Sequence, residues 1–156
     1  MKLSADAAIP RVILIVEDAD EDFDTACEAL LKIGVAHEVH RAMTGDECRA
    51  LLRGDGTERP LRPALVIMDL KTPGTDGRDA LAELKADPTL EAIPVVVFST
   101  SGSAKDIAFC YASGANAYHV KPVRYPDHVN LLVDVMTYWL RHVALPVVDV
   151  PRAAHS

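Results

Sequence analysis

The chain has 156 residues, 49% of them apolar and 25% charged, and carries a net charge of −7. That length holds one domain with a substantial core. The acidic balance, with no Lys/Arg cluster to offset it, argues against nucleic-acid binding, and no apolar run approaches the roughly 20 residues that span a bilayer.

Residues 1–10 have neither a basic region nor an apolar core, so they read as an N-terminal extension without a signal peptide, and the chain is expected in the cytoplasm. Cys27, Cys48 and Cys110 are odd in number and far apart, which fits reduced, half-buried thiols. The apolar run at 12–16 ends in Glu17-Asp18-Ala19-Asp20-Glu21-Asp22 and predicts a central strand that finishes in acid. Phe23, Cys27, Leu30 and Leu31 at helical spacing, with Gly34 as stop, predict a helix over about 20–33. Residues 38–42 alternate weakly and suit a strand at the sheet edge. Thr44 and Glu47 make a capping box for a helix over about 45–53. A polar, turn-rich loop follows to Pro60.

Ala-Leu-Val-Ile-Met at 64–68 then runs without a break into Asp69, between Pro63 and the turn Thr72-Pro73-Gly74. Such a run reads as a strand buried on both faces, with Asp69 at its carboxyl end. Residues 78–86 are helical, with Leu81 and Leu84 inward and Asp87-Pro88 as terminator. Residues 94–99 form a third buried strand, ending in the hydroxyls Ser99, Thr100 and Ser101. Ser103 and Asp106 open a helix that stops near Gly114. A last strand at 116–120 leads into Lys121-Pro122, where a cis bond would be a defined feature. Pro126 suits the first turn of a long helix to about Ala144, and residues 145–156 form a tail. Five strands alternating with five helices predict an α/β domain over 11–144: a doubly wound five-stranded parallel sheet in the order 2-1-3-4-5.

Open α/β sheets bind ligands at the carboxyl ends of their strands. Four strands here end in polar residues: Glu17 and Asp18, Asp69, Ser99, and Lys121. Three neighbouring carboxylates repel unless a cation joins them, and a few hard oxygen ligands suit Mg²⁺. An aspartate beside Mg²⁺ can attack a phosphoryl group, while the ion, a lysine and a hydroxyl offset charge on the transferring oxygens. One reaction uses every member of the set: reversible formation of an aspartyl phosphate at Asp69. Taken singly, each residue has a plainer reading. Glu17-Asp18 is an acidic first helical turn, Lys121 a solvated lysine, and Ser99 to Ser101 a helix cap. Their shared placement at strand ends favours the joint reading. His37 and His40, three apart in a strand, face opposite sides, and His119, His128, His142 and His155 are scattered, so neither a histidine metal site nor a phosphodonor histidine is expected.

The chain resembles the receiver domain of two-component response regulators over about residues 11–144. The resemblance rests on Ile-Val-Glu-Asp (15–18), Met-Asp-Leu-Lys-Thr-Pro-Gly-Thr-Asp-Gly (68–77), Val-Phe-Ser-Thr-Ser (97–101) and Ala-Tyr-His-Val-Lys-Pro-Val (117–123). It implies a flavodoxin-like receiver fold with Asp69 as phosphoacceptor. It further implies Mg²⁺ held by Asp18 directly, by Glu17 largely through water, by Asp69 and by the Lys71 carbonyl. Ser99 would contact the phosphoryl group, Lys121 would pair with it, and Tyr118 would be the switch aromatic that follows Ser99. Within the family the chain is most similar to single-domain regulators paired with bacterial phytochromes, on Asp-Gly-Arg-Asp-Ala-Leu-Ala-Glu-Leu-Lys-Ala-Asp-Pro (76–88), Ile-Pro-Val-Val-Val (93–97), and Tyr-Trp-Leu (138–140) followed by Leu-Pro (145–146). The implied partner is a sensor histidine kinase of the bacteriophytochrome kind. Lys71 and Ser101 stand where other receivers can carry an amide or carboxylate that orients water, so a phosphoryl lifetime of minutes or longer is expected, with self-phosphorylation and slow self-dephosphorylation rather than enzymatic turnover.

With no output domain after the fifth helix, signalling is expected through protein contacts. Val129, Leu132, Val133, Met136, Trp139, Leu140 and Val143 form one apolar stripe for the sheet. Leu131, Val135 and Tyr138 form a second, which points to a homodimer through the last helix, with Val147, Val148 and Val150 as an extended arm. Two rivals remain. A phosphohydrolase of the haloacid-dehalogenase kind shares the nucleophile chemistry, and Asp18-Ala19-Asp20 mimics its first motif. It needs a further acidic pair after the lysine, where only Asp127 and Asp134 follow, and cap insertions that are missing. A receiver-like scaffold that takes no phosphoryl group is the other, against which the intact acidic set speaks.

Overall fold

The computed structural model describes residues 10–54, 59–71 and 77–146. The outer extension, the turn residues 72–76, and Val147, Val148 and the rest of the tail lie outside the described residues. β1 (Arg11–Val16), β2 (His37–Ala42), β3 (Leu65–Met68), β4 (Val95–Ser99) and β5 (Ala117–Val120) pair in parallel in the order β2-β1-β3-β4-β5, the expected doubly wound topology. α1 (Asp20–Ile33), α2 (Gly45–Arg53), α3 (Gly77–Ala86), α4 (Ala104–Ala112) and α5 (Tyr125–Thr137) connect and follow the strands. The described peptide bonds, Lys121-Pro122 included, are trans. Among the described residues no helix is long and apolar enough to cross a membrane.

Side chains on a strand alternate between faces, so a strand covered on both sides must be apolar throughout. Ile13, Ile15, Leu65, Ile67, Val96 and Phe98 pack on one side against Ala26, Ala29 and Leu30 of α1 and Leu132 and Met136 of α5. Leu14, Val16, Val66, Met68, Val95 and Val97 pack on the other against Leu52 of α2, Leu81 and Leu84 of α3, and Cys110 of α4. Each large aliphatic side chain buried this way contributes about 1.5–3 kcal/mol relative to leaving it in water. The edge strand β2 is mostly half-buried, as its weak alternation predicts.

The helix ends carry the predicted chemistry. Gly34 closes α1 at φ 68°, a left-handed backbone that glycine adopts without a Cβ clash. Thr44 Oγ1 accepts the Glu47 N–H at 3.1 Å, while Glu47 Oε1 accepts the Met43 N–H at 3.2 Å. Ser103 Oγ accepts the Asp106 N–H at 3.3 Å at the start of α4.

The last helix departs from expectation. α5 ends at Thr137 and widens into a π-helical turn, Tyr138–His142, in which the Val143 N–H donates to the Tyr138 carbonyl at 3.0 Å. From this turn Arg141 donates to the Ile33 carbonyl from Nε at 3.2 Å and Nη2 at 2.5 Å, capping the end of α1. α5 is therefore covered on two sides, by the sheet and by α1. This corrects the reading of the second stripe as a free face. Val135 is 6% exposed, within the core of its own chain, and Leu131 packs half-buried against the same cluster. Tyr138 is exposed.

Candidate functional site

Strand register brings the polar strand ends to one level. Val16 pairs with Met68, Met68 with Val97, and Ser99 with Val120. The ladder continues one residue past the strands. The Glu17 N–H donates to the Ala42 carbonyl at 2.9 Å, Asp69 N–H to Val16 at 3.0 Å, and Lys121 N–H to Ser99 at 2.8 Å. Glu17, Asp69 and Lys121 thus project from backbone that the sheet itself fixes. Gly77 sets the lower wall: a Cβ there would lie 2.8 Å from the Asp69 carbonyl oxygen and 2.9 Å from the Leu70 Cα, so only glycine lets α3 start this close.

Lys121 is the hub of the site. Its Nζ donates to Glu17 Oε1 at 2.7 Å, Asp22 Oδ2 at 2.7 Å and Asp69 Oδ2 at 3.1 Å, and the lysine side chain is 6% exposed. Burial alone would lower its pKa. The hydrogen bonds to Asp22 and Glu17 and the charges of Asp69 and Glu17 outweigh that and hold it well above the usual lysine value, so it stays charged. Glu17 is pushed up to about 7, first by burial and further by the Asp69 charge, against the opposing pull of Lys121 and the Ala19 N–H. Its other oxygen, Oε2, accepts that N–H at 3.2 Å.

Glu17, Asp18 and Asp69 each bring one carboxylate oxygen within 4.8 Å of the others. Three acids this close, with one ammonium shared among Glu17, Asp69 and Asp22, leave an excess of negative charge. All-oxygen donors of this number fit a hard divalent cation. The Lys71 N–H donates to Asp69 Oδ1 at 3.0 Å, which sets the Lys71 backbone beside the carboxylate. Ser99 is fully buried at the end of β4, and its Oγ accepts the Ser101 N–H at 3.1 Å. Tyr118 is half-buried against the core and donates from its hydroxyl to the Ser101 carbonyl at 2.8 Å, tying β5 to the loop after Ser99. The acids demanded by the phosphohydrolase reading fall elsewhere: Asp127 and Asp134 are exposed on α5.

Two residues enter the site that sequence reasoning did not assign. Asp22 had appeared only as one acid in a helix-starting run, yet it holds the lysine. Its signal was its position in the first turn of α1, on the strand-end side. Arg41, opposite Ile15 near the end of β2, clamps the acidic loop from outside. Its Nε donates to the Glu17 carbonyl at 3.0 Å, Nη2 to the Asp18 carbonyl at 3.2 Å, and Nη1 lies 2.9 Å from Asp20 Oδ1. The guanidinium also sits 4.6 Å over the Phe23 ring. A basic residue near the end of an edge strand beside an acidic loop was the available signal.

Comparison with known proteins agrees with this fold. Residues 13–133 match the family model of the response regulator receiver domain. Response regulator Rcp1 of Synechocystis sp. (strain ATCC 27184 / PCC 6803 / Kazusa) is 35% identical over 145 residues, covering 92% of this chain and 99% of the relative. The crystal structure of the Mn²⁺-bound form of Rcp1 superposes with a TM-score of 0.85 at 36% identity, over 88% of this chain and 100% of the other. That of the phosphorylated cyanobacterial phytochrome response regulator RcpA gives 0.84 at 38% identity, over 89% and 100%.

Proposed function

We propose that this chain, which belongs to the response regulator receiver domain family, accepts a phosphoryl group on Asp69 from the phosphohistidine of a sensor histidine kinase. One observation carries the reading: Lys121 Nζ stands 3.1 Å from Asp69 Oδ2 while Glu17 and Asp18 crowd the same carboxylate. Nucleophile, counter-ion and metal donors are together at one sheet edge.

In the proposed step an Asp69 carboxylate oxygen forms a bond to phosphorus as the donor's P–N bond breaks and the imidazole leaves. Lys121 neutralises charge on the transferring oxygens. Ser99, at the neighbouring strand end, offers its hydroxyl to one of them. Glu17, Asp18 and Asp69, with the Lys71 carbonyl, are the residues that would hold Mg²⁺. The ion, when bound, supplies further charge neutralisation. Donor chemistry supports Mg²⁺, and the Mn²⁺-bound form of the relative Rcp1 supports a divalent ion. Tyr118, already bonded to the loop after Ser99, is the side chain placed to report the change.

The description of RcpA as a phytochrome response regulator supports a phytochrome kinase as donor. A homodimer through the last helix has less surface than the sequence promised, since Val135 is consumed internally and Tyr138 is the member of the stripe that is exposed. Light scattering at tens of micromolar tests it, and a monomer there removes it. The central experiment is acetyl phosphate with Mg²⁺ on native and Asp69→Asn protein, read on a phosphate-sensitive gel. Native protein should shift and the variant should not. Equal behaviour of the two would overturn the assignment.

A further inference from the structure

Lys121 donates to three carboxylates, and two of them have other work. Glu17 and Asp69 belong to the acidic group that fits a divalent ion, and Asp69 is also the proposed phosphoacceptor. Asp22 stands outside that group, on the first turn of α1, with Oδ2 2.7 Å from the ammonium.

We propose that Asp22 is a positioning residue for Lys121, holding the ammonium beside Asp69 while Glu17 and Asp69 turn to the metal and the phosphoryl group. The inference rests on the reading of Asp69 as phosphoacceptor. An ammonium has three N–H groups, and here all are committed, the two short bonds going to Glu17 and Asp22 and the longest, 3.1 Å, to Asp69. The bond that must be exchanged is the weakest of the three. Glu17 is one of the residues that would hold the cation, and that role would compete with its short bond to Lys121. Asp22 then keeps a flexible four-carbon side chain from leaving the site. Its own support is independent of the metal loop, because α1 is fixed to the core through Ala26, Ala29 and Leu30.

The plainer account makes Asp22 an acid at a helix N-terminus, favourable there whatever Lys121 does. Three readouts separate the two. In native protein the Lys121 ammonium protons, assigned by their loss in Lys121→Arg, should be observable by NMR at low temperature, and in Asp22→Asn they should merge into the solvent signal. At saturating Mg²⁺, Asp22→Asn should take up the phosphoryl group of acetyl phosphate about tenfold more slowly, the order expected for losing one charge-assisted hydrogen bond. Its Mg²⁺ affinity by calorimetry should stay within about twofold, and Asp22→Glu should recover much of the rate.

The proposal is overturned if native protein is phosphorylated and Asp22→Asn matches its rate, if the ammonium signals persist in the variant, or if uptake falls only in proportion to a weakened Mg²⁺ affinity. A native protein that takes up no phosphoryl group sinks the Asp69 reading instead. The ammonium signals still decide whether Asp22 holds Lys121.

Discussion

Lys121 Nζ and Glu17 Oε1 are 2.7 Å apart, each on a side chain only 6% exposed. A buried pair of this kind is costly to break from one side, about 3–5 kcal/mol, because the remaining charge is left uncompensated. Lys121→Ala leaves three carboxylates facing one another. We expect its melting temperature without divalent ions to fall well below native, and added Mg²⁺ to raise it by more than it raises the native protein, since the ion replaces the missing charge. At 100 times its dissociation constant, a ligand specific for the folded state adds about 2.7 kcal/mol. Thermal melts with EDTA and with Mg²⁺ give the comparison. An equal or smaller Mg²⁺ gain in the variant would show that the acids do not share one ion.

Arg41 acts on the same acids through their backbone. Its bonds to the Glu17 and Asp18 carbonyls hold the loop that presents both carboxylates. Arg41→Ala keeps every metal donor and every Lys121 partner. Losing two hydrogen bonds from a charged donor should cost a few kcal/mol, shared between fold stability and loop order. The expected result is a lower melting temperature and Mg²⁺ binding weakened about three- to tenfold by titration calorimetry, with Arg41→Lys recovering little because a lysine cannot form the fork. Unchanged affinity would confine Arg41 to the fold.

The acid side of the pH profile should carry a histidine signature. His119 and His128 flank the Phe98 ring, with centroids at 5.1 and 6.5 Å. Burial lowers both pKa values below 6.5; at His128 the Asp22 charge opposes this and the Lys121 charge adds to it. A histidine whose folded pKa lies below its unfolded one takes up a proton more readily on unfolding. Its contribution is present above about pH 6.5 and is lost as pH falls through the folded value. Glu17, raised to about 7, acts with the opposite sign: its contribution is whole below its unfolded value near 4.5 and is lost as pH rises through about 7. The difference between native and His128→Gln isolates the histidine. Between about pH 7.5 and 5.5 the native protein should lose more stability than His128→Gln in urea titrations. Parallel losses would mean that His128 is protonated equally in both states.

The strands and the site they carry were legible for one reason. A parallel strand buried on both faces is an unbroken apolar run, and where it stops the next side chain stands at the sheet edge. That fixed Glu17, Asp69, Ser99 and Lys121 at a common level before any distance was known. Partnership was less legible. Asp22 reaches Lys121 because of the direction in which α1 leaves the sheet, and no spacing along the chain reports that angle. Val135 misled because helical periodicity finds apolar faces without saying how many neighbours cover them, and α1 covers a second face of α5. The π-helical turn at Tyr138–His142 carries the tertiary bond of Arg141 to Ile33, which no local pattern announces.

Phosphoryl lifetime tests the site in its working state. Hydrolysis of the aspartyl phosphate needs a water held in line with the P–O bond. The two side chains nearest in sequence for that task are Lys71 and Ser101. Lys71 is exposed and meets Asp69 through its backbone N–H. The Ser101 hydroxyl is already committed: it donates to Asp106 Oδ2 at 2.6 Å and accepts the Ser103 N–H at 3.2 Å. Asp106 is further tied to Arg78, 3.3 Å away on α3. Neither residue therefore directs a water at phosphorus, and the lifetime should be minutes or longer in purified protein with Mg²⁺. Ser101→Ala should leave it within about twofold, since the lost hydroxyl was bonded to protein and not to the attacking water. Lys71→Asn introduces an amide that can hold that water and should shorten the lifetime several-fold. Release of inorganic phosphate from the phosphorylated protein measures all three. A native lifetime of seconds would overturn the expectation, and a Ser101→Ala protein that hydrolyses far more slowly than native would show that Ser101 does guide the water.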